Sequence, residues 1–133
     1  MLFRSYNCTI TVVSRSDKNF GSFKGLKNLS LGLLENLNSI VKEQSFDIVI
    51  QASPNGMGGK SLFSWPQSLF KKDCLYIESV SSPRWTEFLK GALKSGASYI
   101  TGKQIFYTQA YAQFLWWESL GHFKKSNLVP EAV

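Results

Sequence analysis

The sequence predicts an α/β domain built on a mainly parallel sheet. Apolar, β-branched runs that read as strands recur at Asn7–Val13, Asp47–Ala52 and Cys74–Val80, and helix-spaced segments alternate with them. The run Asp47–Ala52 (DIVIQA) shows no polar alternation, as expected of a strand buried on both faces of a parallel sheet. It is closed by Pro54 and Gly56, so a tight polar turn follows it. Turns that leave the carboxyl ends of such strands are where open α/β sheets hold their ligands, which makes Ser53–Met57 the first candidate site.

In chain order, NCTITVV (Asn7–Val13) is the first strand and ends in the polar Ser14-Arg15-Ser16. Asp17–Asn28 reads as an irregular connection with at most a short helical turn. Leu33, Leu34, Leu37, Ile40 and Val41 recur at helical spacing and predict a helix over Leu31–Lys42 with Ser30 as N-cap, at a modest propensity cost for Gly32. After the Asp47–Ala52 strand and its loop, Trp65-Pro66 opens a short helix or turn that runs to Lys72. CLYIESV (Cys74–Val80) is the next strand. Thr86–Ser95 predicts a helix with Phe88, Leu89, Ala92 and Leu93 on its packed side and Gly96 as its stop. A short strand over Ser98–Ile100 precedes a last helix over Ile105–Leu120, with Tyr111 and Leu115 on the packed face and Gly121 at its end.

Bulk properties narrow the function classes. A chain of 133 residues with 44% hydrophobic and 18% charged residues fits one globular domain. No apolar run reaches the ~20 residues of a membrane helix, and the N-terminal stretch lacks the pattern of a secretory signal, so a cytoplasmic location is expected. The net charge of +6 favours anionic ligands. The basic residues are scattered, however, and no nucleic-acid motif is visible, so nucleic acid and membrane are not expected partners. Cys8 and Cys74 have no CxxC partner and no histidine cluster around them, and they read as free, buried thiols with no metal role.

Several stretches resemble shikimate dehydrogenases. DIVIQASPNGM (Asp47–Met57) is similar to the strand and turn of the family's nucleotide-binding domain, a D, three hydrophobic residues, N-A-T, P or S, any residue, then G-M. Gln51 stands for the Asn and Ser53 for the Thr. ESVSSPRWT (Glu78–Thr86) is similar to D-x-V-Y-x-P-x-x-T, with Val80, Pro83 and Thr86 matching, Glu78 for Asp and Ser81 for Tyr. GKQIFYTQAYAQF (Gly102–Phe114) is similar to G-L-G-M-L-V-x-Q-A-x-x-x-F, with Gly102, Gln109, Ala110 and Phe114 matching and Gln104 for the second Gly. TVVSRS (Thr11–Ser16) resembles a strand that ends in N-R-T. The resemblance covers Asn7 to about Gly121.

The resemblance implies a Rossmann-like, doubly wound domain over residues 1–133 that lacks its first βα unit and ends in a helix. It implies a nicotinamide dinucleotide cofactor, NADP ahead of NAD. Ser14, Arg15 and Ser16 would hold the adenosine phosphate end, since a guanidinium offers a fork of donors to phosphate and a flat face to a purine. Lys18 would add charge. Ser53, Pro54 and Met57 would lie along the cofactor, Gly102 near the nicotinamide, and Gln109 would face a shikimate-like substrate through its amide. Ser81 reaches less far than the Tyr of the pattern, and Gln104 stands where a Gly would let backbone approach the ring.

The family's catalytic Lys and Asp belong to an N-terminal substrate domain, and its Gly-rich phosphate turn belongs to the first βα unit; the chain is expected to begin after both. No catalytic residue is therefore assigned, and His122 reads as a surface histidine beyond the last helix. Two expectations follow: a nucleotide-binding part of a shikimate dehydrogenase-like oxidoreductase that is inactive alone, or a non-enzymatic interaction module descended from it. Deleting a central strand leaves sheet edges open to a second copy or to the missing half, unless Ile48–Ile50 pair directly with Ile10 and Val12.

Overall fold

The computed structural model describes residues 8–23 and 25–121. His122 and the Lys124-Lys125 pair lie outside them. The strands form two separate all-parallel sheets. β1 (Ile10–Ser14) pairs with β2 (Leu29–Leu33), and β3 (Ile48–Gln51), β4 (Leu75–Glu78) and β5 (Ser98–Ile100) form the order β3-β4-β5. The helices are α1 (Leu37–Glu43), α2 (Glu87–Lys94) and α3 (Gly102–Ser119). This is the α/β, parallel-sheet class that the sequence predicts.

Several expectations are corrected. The helix expected over Leu31–Lys42 is a strand in its first part: Leu29, Leu31 and Leu33 alternate along β2, and Ser30 pairs with Thr11 as a ladder residue, not a cap. Helical geometry starts only at Leu34, in a 3-10 turn, and becomes α-helical at Leu37. Gly32 belongs to the sheet, where a Cβ would sit 2.5 Å from the Ile40 Cδ1 of α1. Close packing of α1 on β2 explains it better than helix propensity does. β3 is not buried on both faces, because Ile48 and Ile50 are 44% and 46% exposed. Nor does β3 pair with β1.

The core lies on one face of the three-stranded sheet, where Tyr76, Phe88, Leu89 and Ala92 are fully buried beside Val41, Leu69 and Cys74. Tyr76 meets Phe88 edge-on at 5.7 Å. Its hydroxyl donates to Leu69 O (2.8 Å) and accepts from Lys71 N (2.7 Å). Burial pushes its pKa up to about 12, so it stays a neutral donor. α2 begins at Thr86, whose hydroxyl accepts from Leu89 N, and ends before Gly96 at φ +72°. Its packed side is Phe88, Leu89 and Ala92, whereas Leu93 is 53% exposed. α3 starts earlier than expected, at Gly102, because Thr101 and Gln104 close a capping box. Tyr111 and Leu115, expected on its packed face, are exposed. Cys74 is a buried free thiol, and Cys8 is half-buried. Burial raises the Cys74 pKa.

Candidate functional site

Because every strand pairing is parallel, the loops after β3, β4 and β5 leave the same edge of one sheet. A buried polar network fixes them there. Gln51, the last residue of β3 and 2% exposed, turns its side chain into the following loop. Its amide donates to the carbonyls of Ser53 and Asn55 (both 2.9 Å), and its Oε1 accepts from Ser53 N (2.6 Å). Asn55 continues the network: its Oδ1 accepts from Leu62 N (2.6 Å) and its Nδ2 donates to Phe63 O (3.1 Å). The first turn of the loop is thereby tied to Leu62 and Phe63, farther along the same loop.

Glu78, the register partner of Gln51, does the same for the next loop. It is fully buried; Oε1 accepts from Val80 N (2.8 Å) and Oε2 from Thr86 Oγ1 (2.6 Å). Burial raises its pKa, against the lowering effect of those two hydrogen bonds. The side chain ties the end of β4 to the N-cap of α2. The two loops meet directly: Gly58 N donates to Ser82 O (3.2 Å), and Gly56, at φ +98°, packs so closely that a Cβ would stand 2.9 Å from Thr86 Cγ2.

Gly102 closes the third side. It is buried, and a Cβ there would run into the carbonyl of Val80. The start of α3 thus lies against backbone of the β4 loop, which gives this glycine a packing reason independent of any ligand.

The expected site residues fall into three groups. Ser53, Pro54 and Met57 lie on the β3 loop, which meets the β4 loop where Gly58 bonds to Ser82, and Gly102 packs on Val80 of the β4 loop; Ser53 is half-buried, Pro54 exposed and Met57 57% exposed. Ser14, Arg15 and Ser16 form a turn at the carboxyl end of β1, where Ser16 N donates to Ser14 Oγ (3.5 Å). They belong to the other sheet, and none of the described hydrogen bonds joins them to the loops. The Arg15 side chain is exposed, and the ion pair among the described residues, Lys90–Glu87, does not engage it. Gln109 lies about 10 Å along α3 from Gly102 by helix rise, exposed, with its amide donating to Phe106 O. Ser81, opposite the family's Tyr, is exposed at the same rim.

A shallow cleft of about 270 Å³ lies beside this rim, between the β3 loop and the start of α2. Trp65, Trp85 and Phe88 give it aromatic walls, and the Glu87–Lys90 pair stands at its mouth. No group of acidic, histidine or cysteine side chains able to hold a metal occurs among the described residues. No helix among them is long and apolar enough to cross a membrane.

Known proteins match this combination of loops and strands. The chain is 31% identical over 78 residues to the NADP(+) shikimate dehydrogenase of Syntrophobacter fumaroxidans, which takes in 58% of the chain and 27% of that protein. It is 33% identical over 73 residues to that of Ignicoccus hospitalis, 55% of the chain and 28% of the relative. The chain resembles the shikimate dehydrogenases. In fold, this shikimate dehydrogenase-like chain matches the chorismate mutase/shikimate 5-dehydrogenase fusion protein of Clostridium acetobutylicum (TM-score 0.62, 23% identity, 84% of the chain and 38% of the other). It also matches the quinate dehydrogenase of Corynebacterium glutamicum in complex with NAD (TM-score 0.59, 20% identity, 71% and 35%). The chain spans about a quarter of the length of the curated relatives it matches. No family model matches it.

The residues that sequence reading missed are the loop anchors. Gln51, Glu78 and Thr86 were visible as members of the motifs, but their part in a buried network was not. For Asn55 the signal was the turn sequence Pro-Asn-Gly, in which an Asn side chain can bond to nearby backbone.

Proposed function

We propose that the chain is the nucleotide-binding part of a shikimate dehydrogenase-like oxidoreductase, that it takes NADP, and that it does not turn over substrate alone. The observation that carries this reading is the rim built by Gln51, Asn55, Glu78, Thr86 and Gly102, which fixes three successive loops at the carboxyl edge of a parallel sheet. The sequence similarity to NADP(+) shikimate dehydrogenases supports it.

The residues fit a dinucleotide. Arg15, exposed beyond β1 between two serines, can engage a phosphate with its fork of donors, and the extra phosphate of NADP is what such a group distinguishes. Ser53, Pro54 and Met57 offer a half-polar, half-apolar edge along which a flat ring can lie, and Gly102 lets the start of α3 pack on the Val80 backbone beside it. Gln109 would meet a shikimate-like polyol. When bound, NADP supplies the hydride chemistry. The chain's own part is to bind and orient, because the rim offers no paired general acid and base. Glu78, the one buried carboxylate there, is committed to Val80 and Thr86.

Isothermal titration with NADPH and NADH, beside an assay of shikimate oxidation, tests the reading. NADPH binding without turnover is expected. Absence of nucleotide binding together with a stable homodimer would favour the second reading, an interaction module that has kept the fold and lost the cofactor; its support is the apolar surface left open on β3 and α3. Robust turnover would overturn the claim of incompleteness.

A further inference from the structure

The shallow cleft of about 270 Å³ between the β3 loop and the start of α2 has no part in the function proposed above: none of Ser53, Pro54, Met57, Gly102 and Gln109 lines it. Its walls are aromatic, and other rings hold them in place. Trp65 meets Phe63 edge-on at 4.6 Å and the fully buried Phe88 at 4.9 Å. Trp85 meets Tyr99 of β5 edge-on at 5.8 Å. Rings fixed in this way have little freedom left to lose when a ligand stacks on them. Gly59, also in the lining, sits at φ +75° with open space where a Cβ would stand. No side chain closes the cleft there, so it suits an extended segment better than an enclosed small molecule.

The hydrogen-bonding capacity of the lining is one-sided. Asn55 and Thr86, its buried polar side chains, are committed to Leu62, Phe63 and Glu78. The Ser61 hydroxyl donates to Phe63 O (3.2 Å), and the Glu87 carboxylate accepts from Lys90 (2.8 Å). The indole N–H groups of Trp65 and Trp85 make none of the hydrogen bonds of the described residues. That of Trp65 is not buried, and Trp85 is 38% exposed. An indole can donate but not accept.

Flat apolar walls with unanswered donors call for a ligand made of apolar rings and acceptors. A run of prolines has that make-up: pyrrolidine rings, no N–H, and carbonyls left free of internal hydrogen bonds in the polyproline II helix. Aromatic-lined grooves bind such segments because their conformation is already formed. Charge adds a second line of argument. Lys60 follows Gly59, and Arg84 stands between Pro83 and Trp85 with its guanidinium 5.4 Å from the Trp85 ring; both are exposed. With Glu87 and Lys90 paired to each other, the border of the cleft is positive and favours acidic residues beside the prolines.

We infer that the cleft between Trp65 and Trp85 docks a proline-rich peptide segment with acidic flanks. The segment lies in polyproline II conformation with its rings against the two indoles, and its carbonyls accept from their N–H groups. This goes beyond the nucleotide reading and does not depend on it.

The test is a titration of the isotopically labelled chain with a synthetic PxxP peptide that ends in aspartates, followed by indole and backbone amide shifts and by isothermal titration. Saturable binding is expected, with shifts at Gly59, Ser61 and the indole N–H of Trp65 and Trp85, and none at Trp116 and Trp117 on α3. The same peptide with alanine for proline should bind ~10-fold or more weakly, since it lacks both the rings and the preformed helix. Trp85→Phe keeps a ring against Tyr99 and removes the donor, and should weaken binding by about 5-fold. A lysine-ended peptide tests charge on the unaltered chain: it should bind more weakly than the aspartate-ended one, by a margin that shrinks with added salt. The inference is overturned if the peptide does not saturate, if the alanine version binds as tightly, if the shifts fall only on α3 or elsewhere, or if neither Trp85→Phe nor the lysine-ended peptide lowers the affinity.

Discussion

The carboxylate of Glu78 accepts a 2.6 Å hydrogen bond from the hydroxyl of Thr86 in a setting where Glu78 is fully buried and Thr86 only 3% exposed. Thr86 in turn caps α2 through Leu89 N (3.3 Å). One side chain therefore couples the end of β4, the Val80 loop and the start of α2, and those are the pieces that form the rim.

This coupling has a pH signature. Burial raises the folded-state pKa of Glu78 above its unfolded value. The folded state thus holds the proton more tightly, and stability is fully present below the unfolded pKa. It falls as pH rises through the raised folded value and stays lower above it. Glu78→Gln removes that titration. Thermal melts from about pH 4 to about pH 8 should show a flatter stability profile for the variant than for the native chain. Parallel profiles would contradict the assignment. Glu78→Ala, which orphans Val80 N–H and the Thr86 hydroxyl, should destabilise at every pH by about 1–3 kcal/mol for each group left unpaired.

Gly102→Ala isolates packing from helix propensity. In an unhindered helix the change would stabilise by up to about 1 kcal/mol. Here the new methyl runs into the carbonyl of Val80, and the overpacking should cost about 1–3 kcal/mol and lower the melting temperature. Gly121→Ala, at φ +74° but with open space around its Cβ, is the comparison that shows backbone strain without collision. An unchanged or raised melting temperature for Gly102→Ala would mean that α3 does not rest on the Val80 loop.

Much of the fold was legible because strong local signals agreed. β5 falls where expected, α2 has its Thr86 cap and Gly96 stop, and each expected strand occurs within a few residues of its range. The Leu31–Lys42 stretch misled because Leu29, Leu31 and Leu33 fit a period of two while Leu33, Leu34, Leu37 and Val41 fit a helix. The overlap at Leu33 is resolved only by pairing with β1, a non-local contact. The faces of β3 and α3 were misjudged for a related reason. An apolar side chain says what it would bury against if a neighbour were present, and Ile48, Ile50, Tyr111 and Leu115 have none among the described residues that covers them. Within the site, the motif positions were visible, but the network from Gln51 to Phe63 depends on a loop fold that residue spacing does not specify.

In the function proposed above, Arg15 is the residue that would favour NADP over NAD. Arg15→Ala should weaken NADPH binding by about 10- to 100-fold, the scale of a charge-assisted hydrogen bond, and leave NADH nearly unchanged. Because the side chain is exposed, the melting temperature should not move. Titrations of both nucleotides at one salt concentration check this. Equal losses for the two would remove Arg15 from the 2′-phosphate.

The most direct measurement of the nucleotide site is an NADPH titration of the isotopically labelled chain, followed by backbone amide shifts. Binding across the carboxyl edge of the strands predicts concerted, saturable shifts at Ser14–Ser16, Ser53–Met57 and Gly102, and little change at the opposite ends of the strands, at Ile10, Ile48 and Leu75. Saturable shifts confined to other regions, or none up to millimolar nucleotide, would contradict a dinucleotide site on this rim.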